Sequence, residues 1–184
     1  MAAPGDATTL LARWSSGDKA ALDEVVAILY EEMHRIAARQ VRGERAITVQ
    51  PTSLVNEVYL RLIGLQKIDW QDRGHFLAMF ARVARRTLVD DARKRNAGKR
   101  GGVSVTLSDD RIGRTSGGLG VLEIDQLLEK LAQLDAVAAD IVELRVFGGM
   151  SIEEAAAQLG ISDSTVSRKW RAGKAWLANE IGTA

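Results

Sequence analysis

Cysteine is absent from the 184 residues, which removes any disulfide framework and any thiolate metal site. Proline is confined to Pro4 and Pro51, so little interrupts helix formation. Aromatics are few, and the alternating runs that strands need are hard to find; Val103 to Leu107 is the one short candidate. No apolar run approaches membrane-spanning length, and the N-terminus lacks a basic-then-apolar leader pattern. A cytoplasmic protein with no membrane partner is expected. A dominant charge is missing too. Lys and Arg number 25 against 24 Asp and Glu, so only the distribution of charge can speak of a nucleic-acid partner.

What is present is helical periodicity, clearest from Met150 to Leu177: MSIEEAAAQLGISDSTVSRKWRAGKAWL. Ser151 and Glu154 form an S-x-x-E capping box ahead of an apolar face made by Ile152, Ala155, Ala156 and Leu159. Gly160 falls where a left-handed residue closes a helix, and Ile161 can plug the corner. Ser162 can cap a second helix running to about Ile181. Helix, short turn, helix is the pattern of a DNA-binding helix-turn-helix. On the second helix Val166, Trp170, Gly173, Leu177 and Ile181 share an inward stripe. Ser164, Arg168, Arg171 and Ala175 lie roughly opposite, flanked by Thr165, Ser167, Lys169 and Lys174. Arg can pair with guanine edges, while hydroxyls and Lys can hold phosphates.

Upstream, Met1 to Ala7 looks like a loose tail. Thr8 or Thr9 can cap a helix through Ser15, and Asp18 one from about Lys19 to Val41. Pro51 suits the first position of a helix to about Ile63. There Leu60 stands among the polar Asn56, Glu57 and Arg61, either as a partner contact or as ordinary packing. A long helix is predicted from about His75 to Asn96, with Phe76, Phe80, Val83, Ala84, Thr87 and Leu88 inward and Arg82, Arg85, Arg86 and Arg93 outward. Between Arg73 and Arg100 nine Lys or Arg face two Asp, which reads as a surface for a nucleic-acid backbone. Gly98 to Gly120 is rich in Gly, Ser and charge and has no helical period. The expected fold is all-α: one helical domain over 8–97, a flexible linker over 98–120, and a helix-turn-helix domain over 121–182. Asp135 is the expected cap of that domain's second helix.

Three blocks, SLVNEVYLRL (Ser53–Leu62), HFLAMFARVARRTLVDDARKR (His75–Arg95) and ADIVELRVFGGMSIEEAAAQLGISDSTVSRKWRAGKAWL (Ala139–Leu177), resemble a bacterial RNA polymerase sigma factor of the two-domain extracytoplasmic-function group. The resemblance implies that Asn56, Glu57, Leu60 and Arg61 dock on the beta-prime clamp helices of core polymerase. It implies that Arg82, Arg85, Arg86 and Arg93 bind promoter DNA near the minus-ten element. The loop Lys67 to Arg73 would receive a flipped base, with Trp70 either stacking on it or merely covering the core. The helix Ser164 to Lys174 would read the minus-thirty-five element, and Val121 to Phe147 would engage the beta flap. An anti-sigma factor is a further partner that the resemblance allows. Members usually carry acids just before the L-V of the clamp-binding helix; here the place reads Gln50-Pro51-Thr52-Ser53. Phosphorylation of Thr52, or secondarily Ser53, by a Ser/Thr kinase would restore that charge. The bland use of either hydroxyl is as an N-cap.

An enzyme reading is weak and no cofactor is implied. His34 and His75 lack metal-spaced partners, Asp90 and Asp91 point apart on a helix, and GKRGG at Gly98 lacks phosphate-loop spacing. The better rival is an operator-binding helix-turn-helix regulator that acts without being a polymerase subunit. The arginine stripe in the first domain argues against it, since a ligand-sensing domain needs none.

Overall fold

The computed structural model describes residues 4–41, 49–64, 68, 70–98 and 121–182. Among the described residues are eight helices and no strand, so the all-α class holds. Lys67, the Val103 to Leu107 candidate strand and the stretch 99–120 lie outside the described residues.

Helix α1 spans Pro4–Ser15. It starts ahead of Thr8 and Thr9, so neither is the expected cap, and its first turn takes up part of the expected tail. Proline suits a first turn because its φ is already helical and its missing N–H would be unpaired there anyway. Helix α2, Ala20–Val41, is capped by Asp18, whose Oδ1 accepts from Ala20 N–H at 3.1 Å. Helix α3 spans Pro51–Ile63 and α4 spans Arg73–Gly98. The early start of α4 comes from Asp72, whose Oδ1 accepts from His75 N–H at 2.8 Å. The α4 residues Phe76, Phe80 and Leu88 are buried in one apolar cluster with Val25, Leu29 and Met33 of α2 and Leu54, Val58 and Leu62 of α3.

The second half contains α5 (Val121–Leu134), α6 (Ala136–Val146), α7 (Ile152–Leu159) and α8 (Asp163–Gly182). Asp135 caps α6 as expected, accepting from Ala138 N–H at 3.1 Å. Buried residues surround α6 on nearly every side, among them Ala138, Ile141, Val142, Leu144 and Val146, which makes it the central helix of this half. Helix α8 crosses it at Gly173, where an added Cβ would meet Val142 Cγ2 at 3.1 Å.

The halves meet along α4, which touches α5, α6 and α7. Buried apolar residues of both halves belong to one cluster. Buried Gln40 of α2 donates from Nε2 to the Ala81 carbonyl at 3.0 Å and to the Phe147 carbonyl at 3.5 Å, tying the seam. At Gly149, where φ is +72°, a side chain would collide with the Arg39 guanidinium. No described helix is long and apolar enough to cross a membrane.

Candidate nucleic-acid and partner interfaces

The turn between α7 and α8 is built as its residues dictate. Ser151 Oγ accepts from Glu154 N–H at 3.1 Å and Glu154 Oε2 accepts from Ser151 N–H at 2.8 Å, closing the capping box. Gly160 adopts φ 64°, the left-handed geometry that turns the chain. Ile161 packs against the core, and Ser162 Oγ accepts from Thr165 N–H at 3.3 Å. Behind the turn, Val166, Trp170, Gly173 and Leu177 are buried. The Arg145 guanidinium lies 4.9 Å from the Trp170 ring centre, and its Nη1 donates to the Met150 carbonyl at 3.4 Å. This fastens the inner stripe of α8 to the end of α6.

With that stripe fixed, the opposite side of α8 faces outward. Ser164, Arg168 and Arg171 are exposed, and Thr165, Ser167 and Lys174 are half-buried. Arg171 Nε donates to the Ser167 carbonyl of its own helix at 3.3 Å. Lys169 differs, because its ammonium pairs with the Asp135 carboxylate. That bond, aided by the Ala138 N–H, holds the Asp135 carboxyl below the usual carboxylate range. The arrangement offers hydroxyls at a helix start and guanidinium groups one turn further along.

The arginines of α4 are not an open stripe. Arg82 Nη2 donates to Asp140 Oδ1 at 2.8 Å, and Arg85 Nε donates to Glu143 Oε1 at 2.8 Å. Arg85 also pairs with Asp125, and Arg93 Nη2 reaches Asp125 Oδ2 at 3.1 Å. Arg86 is exposed, with no ion pair among the described residues. Counting acids along α4 alone therefore misjudges this face, since its acids come from α5 and α6. Arg73, at the start of α4, donates from Nη2 to Glu32 Oε1 at 2.6 Å.

Trp70 is buried. It is 5% exposed, stacked on Trp14 with ring centres 5.1 Å apart and 16° between planes, and edge-on to Phe76 at 5.5 Å. One ring face is covered, because α1 places Trp14 on it. Ser15 Oγ fixes the same loop by donating to the Ile68 carbonyl at 3.0 Å.

On α3, Leu60 is 64% exposed beside exposed Ile63, so Leu60 is not ordinary packing. Asn56 and Glu57 are also exposed, while Arg61 Nη1 donates to Asp90 Oδ2 at 2.9 Å. The N-cap of this helix is Gln50, which makes no side-chain cap bond, and the first turn holds no acid. Thr52 and Ser53 are exposed within that turn. Neither is the cap, which sets aside the bland use of their hydroxyls.

Sequence reasoning misses the three acids on α5 and α6. Asp125 carries a signal: it falls on the Val121–Leu128 stripe of α5, where a charge needs a partner to be buried. Asp140 and Glu143, three apart on α6, share a face. Among the described residues no cluster of His, Asp and Glu suits a metal ion. A family model described as ECF sigma factor matches residues 4–183. No curated protein matches the chain.

Proposed function

The chain belongs to the ECF sigma factor family, whose role is promoter-directed transcription with core RNA polymerase, and from that premise we propose how its surfaces divide the work. The outward face of α8 reads the upstream promoter element: Arg168 and Arg171 reach base edges, while Ser164, Thr165, Ser167, Lys169 and Lys174 hold phosphates. The arginine face of α4, with Arg73, receives the DNA backbone near the minus-ten region. Asn56, Glu57, Leu60 and Arg61 on α3 form the clamp contact, with exposed Leu60 as its apolar anchor. Leu134, 69% exposed, and Val137 beside it at the α5–α6 junction offer a second apolar contact, suited to the beta flap.

The observation that carries this reading is the capped corner that turns Arg168 and Arg171 into solvent while burying Trp170. The test is transcription in vitro with core polymerase on a promoter library. Initiation from a defined set of asymmetric promoters is the expected result. An inability to initiate on any of them, in any modification state, would overturn it.

Control of the clamp contact follows from the start of α3. Thr52 is exposed in a first turn that lacks both an acid and a side-chain cap. A phosphate there adds about −1.5 to −2 charge where free N–H groups and the helix dipole favour an anion. We infer that a Ser/Thr kinase acting on Thr52, or secondarily Ser53, strengthens polymerase binding. Thr52→Glu should then bind core more tightly than Thr52→Ala or the unmodified chain. Equal binding by all three would sink the switch.

A further inference from the structure

A cavity of about 510 Å³, the size of an ordinary small-molecule site, lies between α2, the start of α4 and α7. Among the described residues lining it none is aromatic, so no flat ring is there for a base to stack on. Its apolar lining is aliphatic, from Ile36, Leu77 and Met150. The outward face of α8 has no part in it.

Helix α2 brings the positive charge. Glu32, Arg35, Ile36 and Arg39 follow one another at helical spacing and share a face. The Arg35 side chain is 72% exposed, and its contacts stay on its own helix: Nε donates to the Glu31 carbonyl at 3.3 Å, and Nη2 stands 3.9 Å from Glu32 Oε1. The Arg39 guanidinium lies against the backbone of Gly149, where only a glycine leaves it room. Arg73 differs, since Glu32 holds it at 2.6 Å. Two guanidinium forks one turn apart suit a single oxyanion, phosphate or carboxylate.

The acceptors come from other elements. Asp72 Oδ1 accepts from the His75 N–H and Glu154 Oε2 from the Ser151 N–H, both at 2.8 Å. Backbone donors thus fix one oxygen of each carboxylate, leaving the second to accept from a ligand hydroxyl. At Gly74 an added Cβ would stand 3.1 Å from Asp72 Oδ1 and 3.5 Å from Gln158 Oε1, so the glycine keeps that corner open. The buried Oε2 of Glu32 has no hydrogen-bond partner among the described residues, so this wall lacks a donor.

We propose that the cavity binds a small, hydroxylated, non-aromatic oxyanion, of the class of a sugar phosphate or a sugar acid. Its anionic group meets Arg35 and Arg39, and its hydroxyls donate to Asp72, Glu154 and Gln158. Inorganic phosphate would leave those acceptors unmatched and would face the carboxylates directly. A neutral polyol would leave the guanidinium groups without an anion. Selectivity therefore comes from requiring both chemistries in one molecule. Because the ligand touches α2, α4 and α7 together, its binding stabilises the whole chain.

Calorimetric titration of the full chain tests this with glucose 6-phosphate, a hydroxylated phosphate, and gluconate, a hydroxylated carboxylate. Inorganic phosphate and sorbitol each carry half of the chemistry. Expected is one-site binding of at least one of the first pair, about tenfold or more tighter than either inorganic phosphate or sorbitol. Its identity tells which anionic group the site takes. The same ligand should raise the melting temperature as its concentration rises. Arg35→Gln removes an exposed charge, and Ala157→Leu, at an exposed α7 position on the cavity wall, fills the space while keeping every charge. Each should weaken binding by about tenfold or more. Circular dichroism checks that each variant folds, and if one does not, the other decides. Three results would overturn the site: no saturation by either hydroxylated anion below roughly 10 mM, inorganic phosphate or sorbitol binding equally well, or binding that survives in either folded variant. Equal binding of inorganic phosphate would mean an adventitious ion only.

Discussion

Two basic helices in this chain meet opposite fates. Helix α8 keeps Arg168 and Arg171 in solvent. Helix α4 carries a denser basic stripe, yet Arg82, Arg85 and Arg93 all rest on carboxylates. The cause lies in the neighbours. The inner stripe of α8 is fastened against α6, and its outer side meets no helix among the described residues. Helix α4 is packed by α2 and α3 on one side and by α5, α6 and α7 on another. Its partner acids stand 32 to 58 residues away in sequence. The density of cations along a helix therefore does not set their availability; the charges on the helices packed against it do.

The contrast between the two helices is most vulnerable at Trp170, because the outward pose of α8 depends on its inward anchor. Trp170→Ala should destabilise the second half by about 3–5 kcal/mol, combining lost burial with the cavity left behind. It also strips the ring from the buried Arg145 guanidinium. A urea melt should show a lower midpoint. An unchanged midpoint would mean that α8 is held some other way.

Next comes Arg85, the most enclosed cation of α4. Arg85→Ala removes the enclosed cation between Asp125 and Glu143, leaving Asp125 only the more exposed Arg93 and Glu143 only Arg82. The seam between the halves should lose about 3 kcal/mol, read as a fall in the urea midpoint. Arg168→Ala should behave in the opposite way. Its stability should stay within about 0.5 kcal/mol of wild type, while discrimination of the upstream element falls by about 1–3 kcal/mol if Arg168 reaches a base edge. Arg171→Ala should match it. Competition between native and altered promoters measures the second effect. Indistinguishable stability profiles for the Arg85 and Arg168 variants would erase the contrast between the helices.

Local rules make α7 and α8 legible in the sequence. The capping box at Ser151, the left-handed Gly160, the cap at Ser162 and the stripe through Val166 and Trp170 each depend on residues within one or two turns. The start of α1 defeats the same rules, because Thr8 and Thr9 offer a cap signal inside a helix that already begins at Pro4. Trp70 is undecidable from its own neighbourhood, since its cover is Trp14, 56 positions earlier in the chain and on another helix. The acids facing α4 escape for the same reason: a charge count along one helix cannot see the face of another. Asp125 is the readable exception, an unexplained charge on an apolar stripe.

The smallest expected effect lies within α8 itself. Lys169 is the α8 cation that a carboxylate holds, and its partner Asp135 also caps α6. Hydrogen bonding from Lys169, then from the Ala138 N–H, lowers the folded-state pKa of Asp135. A depressed carboxylate pKa contributes stability that is present above the unfolded value of about 3.9 and is lost as pH falls through the folded value. Asparagine caps helices about as well as aspartate, so Asp135→Asn removes the ion pair while keeping the cap. The variant should therefore be less stable at neutral pH by about 0.5–1 kcal/mol, the scale of a partly exposed pair. That gap should close below about pH 4 as the wild-type carboxylate takes up its proton. Freed from Asp135, Lys169 should also be more available to phosphate, steepening the salt dependence of DNA binding by at most about 0.9 in log–log slope. Paired melts of both proteins across roughly pH 2–7 supply the check. A gap that stays constant through the acid range would show that Asp135 contributes through its cap alone and that Lys169 is not held by charge.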